Sequence, residues 1–335
     1  MYGPDVTFLG VPAADLSDPQ TFAGAGAVVI GAPFDGGTSH RAGCRFGPQA
    51  IRTTDYLPHD GSRPHLALDV DPLLELGVVD VGDVEMVPGE MEGALARLET
   101  AVHEVARVGA VPVVLGGDHT IALPDATGVA RHVGWGRVSM IHFDAHADTG
   151  DTQFGSLYGH GTPMRRLIES GAVRGDRFLQ VGLRGYWPGP ETLEWMASLG
   201  MRSYEMSEIT ARGLPAVLDE AVALALDGCD AVFLSVDVDV VDPGMAPGTG
   251  TPEPGGLTGR QLLDAVRFVA MTVPVAGLDV VEVSPPYDHA EVTAYLANRV
   301  VLEALSGMAW RARHETGSAG RRPTDPLLEG RRRST

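Results

Sequence analysis

The segment VSMIHFDAHAD, residues 138–148, joins a nearly continuous apolar run to a polar cluster. The run at 138–143 is short and uncharged, which is typical of a strand buried on both faces, the kind found in parallel sheets. Asp144, His146 and Asp148 follow at once, alternating with period two, so they point the same way while the strand continues. In open α/β sheets, binding groups gather where strands end. The segment therefore predicts a buried parallel strand with a functional site at its carboxyl end.

The same pattern recurs along the chain and indicates the fold. Apolar runs bounded by turn residues predict further strands at 27–31, 111–116, 178–182, 231–236 and 275–281. Helical periodicity lies between them, at 91–108, 163–170, 190–199, 215–226, 258–270 and 291–308. This alternation favours an α/β fold, a single-domain three-layer αβα sandwich with a mostly parallel central sheet.

Domain boundaries follow from where this alternation begins and ends. Residues 1–25 form an N-terminal extension, and 26–310 form the one main domain. The basic tail at 311–335 loses all apolar periodicity, so we expect it to be disordered.

Composition narrows the class of protein. The 335 residues are 44% hydrophobic, and no stretch approaches the roughly 18–20 apolar residues of a membrane span. The first residues, MYGPDVTFLG, do not read as a secretory signal, and two distant cysteines, Cys44 and Cys229, predict neither a disulfide nor a thiolate metal site. These features favour a protein located in a reducing cytoplasm. The net charge of −19 argues against nucleic acid or anionic membrane as a partner, and suits either a cationic ligand or plain solubility.

Carboxylates and imidazoles follow four of the predicted strands. Taken alone, an Asp-x-Asp pair after a strand is usually a turn or a helix cap. Acids from several strand ends that lie close together, however, would repel one another and raise one another's pKa values. Divalent cations such as Mn²⁺ remove that repulsion. Two cations also activate water for hydrolysis. The predicted metal ligands are His119, Asp144, His146, Asp148, Asp237 and Asp239.

These motifs resemble those of the ureohydrolases, the arginase–agmatinase superfamily. The resemblance rests on GGDHT at 116–120, DAHAD at 144–148, SVDVDVVDP at 235–243 and VVEVSPPYD at 280–288. Segments 31–48, 158–166 and 246–256 are closer to the agmatinase and guanidinobutyrase branch than to arginase. The resemblance spans about 3–308, makes 26–310 a ureohydrolase catalytic domain, and implies the arginase-like fold. Thr120 stands where the family usually has Ser.

The resemblance also implies a cofactor and an assembly. Two Mn²⁺ ions per subunit are expected, one held by His119, Asp144, Asp148 and Asp237. The other is expected to be held by His146, Asp144, Asp237 and Asp239, so that two aspartates bridge. The family commonly forms trimers or hexamers.

Three residues have implied catalytic roles in releasing urea and an amine from a guanidino compound. Asp148 accepts a hydrogen bond from the attacking water. His160 transfers a proton, as a histidine with a pKa near neutrality can. Glu282 pairs with the guanidinium in a charge-assisted contact. A plain loop histidine is the alternative interpretation of His160.

The sequence leaves the substrate open. Agmatine, hydrolysed to putrescine, is favoured, with Asp151 as the partner of its distal ammonium; 4-guanidinobutanoate is the alternative, with Arg41 or Arg45 as the partner of its carboxylate. Both arginines have a structural interpretation as well. A bulky guanidino natural product is a third possibility. Two other classes stay open: a metal-binding relative without catalysis, and an enzyme of this fold acting on a formimino group or an acyl amide.

Overall fold

The computed structural model describes residues 6–54 and 64–315, and these contain one eight-stranded sheet. Every pairing between neighbouring strands is parallel, and the order across the sheet is β2-β1-β3-β8-β7-β4-β5-β6. The strands are β1 Ala27–Gly31, β2 Val79–Asp83, β3 Val111–Leu115, β4 Val138–Phe143, β5 Val173–Leu183, β6 Arg202–Glu205, β7 Ala231–Asp237 and β8 Val275–Val281.

Helices cover both faces of this sheet, which confirms the three-layer αβα fold. The period of two along each strand sends alternate side chains to opposite faces: Val29 packs in one core and Val28 in the other. Helices α3, α4 and α5 cover the second face, and α1, α2 and α7–α10 cover the first. The helices are α1 Gly47–Thr53, α2 Pro72–Glu75, α3 Met91–Arg107, α4 Ala122–Val133, α5 Pro163–Ser170, α6 Pro190–Ser198, α7 Met206–Arg212, α8 Leu214–Leu226, α9 Gly259–Thr272 and α10 Val292–Glu315.

The predictions missed the two edge strands and several helices. Edge strands β2 and β6 are short and partly exposed, so they lack the apolar run that marks a central strand. Strand β5 begins five residues before its predicted start, because its first half carries polar side chains at the sheet margin. Helix α4 was missed because Pro124 and Gly128 interrupt its pattern.

Both predicted terminal segments need correction where the structure describes them. Helix α10 continues to Glu315, so residues 311–315 are helical rather than disordered, and 316–335 lie outside the described residues. Near the other end, Phe8, Leu9 and Val11 are buried in the first core. That part of the N-terminal extension is therefore integrated with the main domain. No helix in the described ranges is long and apolar enough to cross a membrane.

Candidate metal centre and active site

Four adjacent central strands bring the predicted site residues together. In the order β3-β8-β7-β4, their carboxyl ends meet at one edge of the sheet. His119 follows β3, Asp144 follows β4, Asp237 ends β7 and Glu282 follows β8. All four side chains are at most 2% exposed. The sheet therefore collects acids and an imidazole from distant parts of the chain into one buried cluster.

Turns, rather than a continued strand, orient the ligands after β4 and β7. Strand β4 ends at Phe143, and the carboxylate of Asp144 accepts a hydrogen bond of 2.6 Å from the backbone N–H of His146. Asp148 has φ of 53°, which no extended strand allows. The expectation that a continued strand aligns Asp144, His146 and Asp148 is therefore wrong, although these three side chains do converge. Likewise, the carboxylate of Asp237 accepts a hydrogen bond of 2.8 Å from the backbone N–H of Asp239.

A close backbone approach fixes the position of His119. A Cβ atom on Gly117 would lie 1.8 Å from the carbonyl oxygen of Phe34, so this position requires glycine. The next residue, Asp118, accepts hydrogen bonds from the N–H groups of Gly37 and Thr120 at 2.8 and 3.0 Å. Asp118 thus supports the loop beside the ligands.

The predicted ligands form two clusters that share Asp144. In the first, the Nδ1 atom of His119 lies 3.0 Å from both Asp144 Oδ2 and Asp148 Oδ2, and 3.3 Å from Asp237 Oδ2. In the second, His146 Nδ1 lies 3.0 Å from Asp239 Oδ2 and 3.6 Å from Asp144 Oδ1. Ligand-type atoms of His119, Asp144 and Asp148, together with His142, lie within 4.8 Å of one another, and so do those of Asp144, His146 and Asp239.

The arrangement fits divalent cations. His119 Nε2 lies 2.9 Å from Ser235 Oγ, whereas its Nδ1 has no hydrogen-bond partner among the described residues and faces three carboxylate oxygens. Burial, together with the charges of Asp239 and Asp144, raises the pKa of Asp237 well above its usual range. Crowded oxygens and an unpartnered imidazole nitrogen are stabilised by a metal ion between them, and this donor set, without thiolate, suits a hard cation such as Mn²⁺.

One ligand-type residue was not predicted. His142 Nε2 lies 2.8 Å from Asp144 Oδ2, and its ring centroid is 5.0 Å from that of His119. Burial acts to raise the pKa of Asp144, but the neighbouring His142 helps to hold it well below its usual range. His142 interrupts an apolar run, so it was interpreted as part of the strand core. The sequence feature that could have identified His142 is its position two residues before Asp144.

A cavity of about 410 Å³ opens in front of the clusters. The titratable residues that line it are His146, Asp148, Asp237 and His160. Its remaining lining is uncharged: Ser39, Thr152, Gln153, Phe154, Gly161, Trp187 and Thr251.

His160 and Glu282 form a buried pair beside this cavity. Glu282 Oε1 accepts hydrogen bonds from the N–H of His119 at 2.8 Å and from His160 Nδ1 at 2.9 Å, while its Oε2 accepts from the thiol of Cys44 at 3.3 Å. Burial opposes the charge on His160, but Glu282 raises the pKa of that ring to about 9. Burial raises the pKa of the Cys44 thiol well above its usual range, so Cys44 is a neutral donor. His160 lines the cavity, and the buried Glu282 contacts His160.

Asp151 and Arg41, the predicted contacts for the substrate chain, do not line the cavity. The side chain of Asp151 is 69% exposed and pairs with Arg165 and Arg166 at 3.5 and 3.4 Å. The guanidinium of Arg41 lies over the ring of Tyr287, 5.1 Å from its centroid. Their roles in substrate binding stay predictions.

Arg45, the other arginine considered, is anchored by a neighbouring acid. Asp35 accepts hydrogen bonds from Arg45 Nε at 2.6 Å and from the backbone N–H of Gly43 at 3.0 Å. These contacts favour the structural interpretation of Arg45.

Comparison with known proteins identifies related chains. The model of the arginase family matches residues 25–307. Proclavaminate amidinohydrolase of Streptomyces clavuligerus is 38% identical over 304 residues, covering 89% of this chain and 91% of that one. Guanidinopropionase of Pseudomonas aeruginosa is also 38% identical, over 305 residues, covering 90% and 91%.

Solved structures agree with the sequence comparison. The structure of proclavaminate amidinohydrolase from Streptomyces clavuligerus superposes with a TM-score of 0.82 at 36% identity, covering 92% of this chain and 99% of that one. A formiminoglutamase from Trypanosoma cruzi, whose structure contains Mn²⁺, superposes with a TM-score of 0.77 at 28% identity, covering 85% and 94%.

Proposed function

This chain belongs to the arginase family, and we propose that it is a binuclear manganese amidinohydrolase that converts a guanidino compound to urea and the corresponding amine. The observation that carries the proposal is the pair of ligand clusters sharing Asp144 beside an open cavity. The adjoining pair of Glu282 and His160 adds an anion and a proton carrier at the same place. A metal-binding relative without catalysis would not need that pair.

In this proposal, His119, Asp144, Asp148 and Asp237 would hold one ion, and His146, Asp144, Asp237 and Asp239 would hold the other. When bound, the two cations lower the pKa of water and stabilise the charge that develops during hydrolysis. The oxygen and imidazole donors support manganese, as does the Mn²⁺ in the related formiminoglutamase structure. Asp237 would be a ligand of both ions in this proposal.

The remaining residues orient the substrate and move protons. Glu282 supplies the negative charge that pairs with the planar guanidinium, a contact worth more when buried. Asp148 faces the cavity beside His119 and accepts a hydrogen bond from the attacking water. His160 passes a proton to the departing nitrogen. The overall balance is one guanidinium ion plus one water, giving urea and one alkylammonium ion.

We propose agmatine as the first substrate to test, because its distal group is a cation and the chain is strongly acidic. No arginine lines the cavity in the described part of the chain, so a guanidino acid such as 4-guanidinobutanoate lacks an evident counter-ion there. A larger, partly apolar guanidino compound is the second candidate. Phe154 and Trp187, which are 89% and 42% exposed, present aromatic surface at the cavity.

Urea release from the manganese-loaded protein tests the proposal. The panel is agmatine, 4-guanidinobutanoate, 3-guanidinopropanoate, arginine and a guanidino compound with a bulky apolar chain, with an N-formimino amino acid included for the competing reaction. We expect urea from at least one guanidino compound. Hydrolysis of the formimino compound alone, or no urea from any member, would contradict the proposal.

We further propose a cytoplasmic homo-oligomer, a trimer or hexamer, with a small guanidino molecule as its ligand and neither nucleic acid nor membrane as a partner. The acidic charge supports the last two points. Light scattering on the purified protein measures the assembly, and a monomeric mass would exclude it.

A further inference from the structure

A loop that follows β7 forms part of the cavity wall. Residues 242–257, which we call the cavity loop, leave the sheet region after Val241 and return to its side, where Val241 and Leu257 form a parallel bridge. The N–H of Asp242 donates to the carbonyl of Leu257 at 2.9 Å, and the N–H of Leu257 donates to the carbonyl of Val240 at 2.9 Å. The two ends of the loop are therefore fixed side by side.

The tip of the cavity loop borders two functional groups. Thr251 lines the cavity, and its hydroxyl lies 3.5 Å from Asp239 Oδ2. A Cβ atom on Gly250 would lie 3.0 Å from Glu282 Oε2, so the backbone of the loop passes close to that carboxylate. A shift of the tip would therefore change the space in which a guanidinium meets Glu282.

Arg184, directly after β5, joins the returning half of this loop to the turn after β7. Its Nε donates to the carbonyls of Glu253 and Pro254, at 3.1 Å each. Its Nη2 donates to the carbonyls of Glu253 and Asp239, at 2.6 Å each, and its Nη1 donates to the carbonyl of Val240 at 3.2 Å. One guanidinium therefore connects the cavity loop to the backbone of a proposed metal ligand.

These contacts depend on the shape of the guanidinium as well as on its charge. In the described part of the chain, Arg184 donates to backbone carbonyls and pairs with no carboxylate. The carbonyl of Gly182, 3.2 Å from Nη1, completes the set. A guanidinium offers five N–H groups in a rigid plane, whereas a lysine ammonium is a compact point charge with three. Lysine at this position cannot span both sides of the junction.

The junction is packed too closely for the loop to find a second position there. A Cβ atom on Gly256 would lie 2.4 Å from the carbonyl oxygen of Val240 and 2.6 Å from Arg184 Nη2. A Cβ atom on Gly185 would lie 2.9 Å from the carboxylate of Glu253. Glycine is therefore needed on both sides of the guanidinium, and a methyl group at 256 would push the loop away from Arg184.

We propose that Arg184 is a positioning residue for the substrate: by joining the cavity loop to the turn at Asp239, it fixes the loop tip beside Glu282 and so sets the width of the space that takes the guanidinium. The inference rests on the proposed function. Arg184 does not line the cavity, so it acts through the loop and not by contact with the substrate.

Hydrogen–deuterium exchange tests the junction without any assay of activity. The proteins are the wild type, Arg184→Met and Arg184→Lys, each with and without Mn²⁺. We expect peptides from the cavity loop to lose protection in both variants, because neither side chain spans the two sides, while peptides from the central strands exchange as in the wild type. Wild-type exchange in Arg184→Lys would overturn the proposal, since charge alone would then suffice. Unchanged exchange in Arg184→Met would overturn it as well.

Steady-state kinetics and metal analysis separate the loop from the metal centre. With the substrate that the urea assay identifies, we expect kcat/KM of Arg184→Met to fall about 10- to 100-fold, with a larger rise in KM than fall in kcat, and Mn²⁺ content to stay as in the wild type. Loss of Mn²⁺ in proportion to activity would overturn the proposal, because Arg184 would then act through Asp239. If the wild type itself releases no urea, the proposed function fails, whereas the exchange measurement still tests the junction.

A matched arginine controls for the loss of a partly buried guanidinium. Arg177 lies earlier on the same strand, donates to the carbonyl of Asp176 at 2.7 Å and pairs with Asp227 at 2.6 Å. We expect Arg177→Met to leave KM and the exchange of the cavity loop unchanged. An equal effect of both arginine substitutions would overturn a role specific to Arg184.

Gly256→Ala disturbs the same junction with Arg184 in place, so the proposal stays testable if the arginine variants do not fold. We expect a rise in KM and a loss of protection in the cavity loop, and less than additive effects when Gly256→Ala is combined with Arg184→Met. Gly189→Ala is the control, because a Cβ there would meet no described atom within 4 Å. Wild-type KM and exchange in Gly256→Ala would contradict the proposal.

Discussion

Two regions of the molecule hold their acids in opposite ways. At the sheet margin, around β6, α7 and α8, Glu208 pairs with Arg202 at 2.5 Å and Glu220 pairs with Arg212 at 2.6 Å. The hydrogen bond from Arg202 lowers the pKa of Glu208 to about 2. At the centre, four buried aspartates converge, and no arginine pairs with any of their carboxylates within the described ranges. Those four are Asp144, Asp148, Asp237 and Asp239.

The difference concerns where the positive charge comes from. The marginal acids carry their own counter-ions in solvent, where each pair contributes about 0–1 kcal/mol. The central acids are buried, and an unpaired buried charge costs several kcal/mol. Among the described residues only imidazoles pair with these four carboxylates, so the centre is suited to cations that come from solution.

The largest effect is expected at the centre. Asp237→Ala removes an acid shared by both proposed metal positions, so we expect loss of most bound Mn²⁺ and a fall in urea release of about 10³-fold or more. Metal analysis of the dialysed protein and a urea assay measure both. Glu220→Ala, at the margin, is the matched control and should keep metal and activity. Full activity in Asp237→Ala would reject its role as a ligand.

The next effect separates the guanidinium contact from the metal centre. Glu282→Gln keeps the shape of the side chain and removes its charge. We therefore expect kcat/KM to fall by the factor that corresponds to about 2–5 kcal/mol of lost transition-state stabilisation. Metal content should stay as in the wild type, because Glu282 is not a proposed ligand. Steady-state kinetics with metal analysis of the same sample make the comparison. Loss of metal in Glu282→Gln would mean that this acid acts on the ions instead.

Metal removal should affect stability by a smaller amount. A ligand that binds only the folded state stabilises it by about 2.7 kcal/mol at a concentration 100 times its Kd. We therefore expect a chelator to lower the unfolding temperature of the wild type, and added Mn²⁺ to restore it. Calorimetry of Asp237→Ala should show a much smaller rise of the unfolding temperature when Mn²⁺ is added. An equal response in both proteins would place the stabilising ion elsewhere.

The smallest effect is expected at the margin, and it depends on pH. Arg202 lowers the pKa of Glu208 in the folded protein to about 2 from an ordinary value of 4.5. The pair therefore stabilises the fold above pH 4.5, and this contribution is lost as pH falls through about 2. Glu208→Gln should cost at most about 1 kcal/mol near neutral pH, because the pair is partly exposed. Denaturant unfolding at pH 7 and at pH 3 should give a smaller difference at the lower pH, and a larger one there would contradict the sign.

The sequence predicted those parts of the structure that depend on burial and on strand ends. Central strands such as β4 and β7 are apolar because both faces are covered, so their positions could be read from hydropathy. The six proposed ligands lie at, or a few residues beyond, the carboxyl ends of such strands. The edge strands β2 and β6 could not be found in this way, because an edge strand buries too little to need an apolar run.

Side-chain direction in loops and inside strands could not be predicted. Asp151 lies in the predicted specificity loop but turns to Arg165 and Arg166, and Arg41 turns to Tyr287. No periodicity governs such loops, so sequence position does not fix which way they face.

Inside the strands, the hydrogen bond of 2.7 Å from Ser235 to Asp279 was missed for a different reason. Each is a single polar residue in an apolar run, and only the register of β7 and β8 pairs them.

The most direct test of the central claim is anomalous diffraction at the manganese absorption edge from crystals grown with Mn²⁺. We predict two peaks per chain, one beside His119 and Asp148 and the other beside His146 and Asp239, with Asp144 between them. A single peak, or no peak at these residues, would contradict a binuclear centre in this family member.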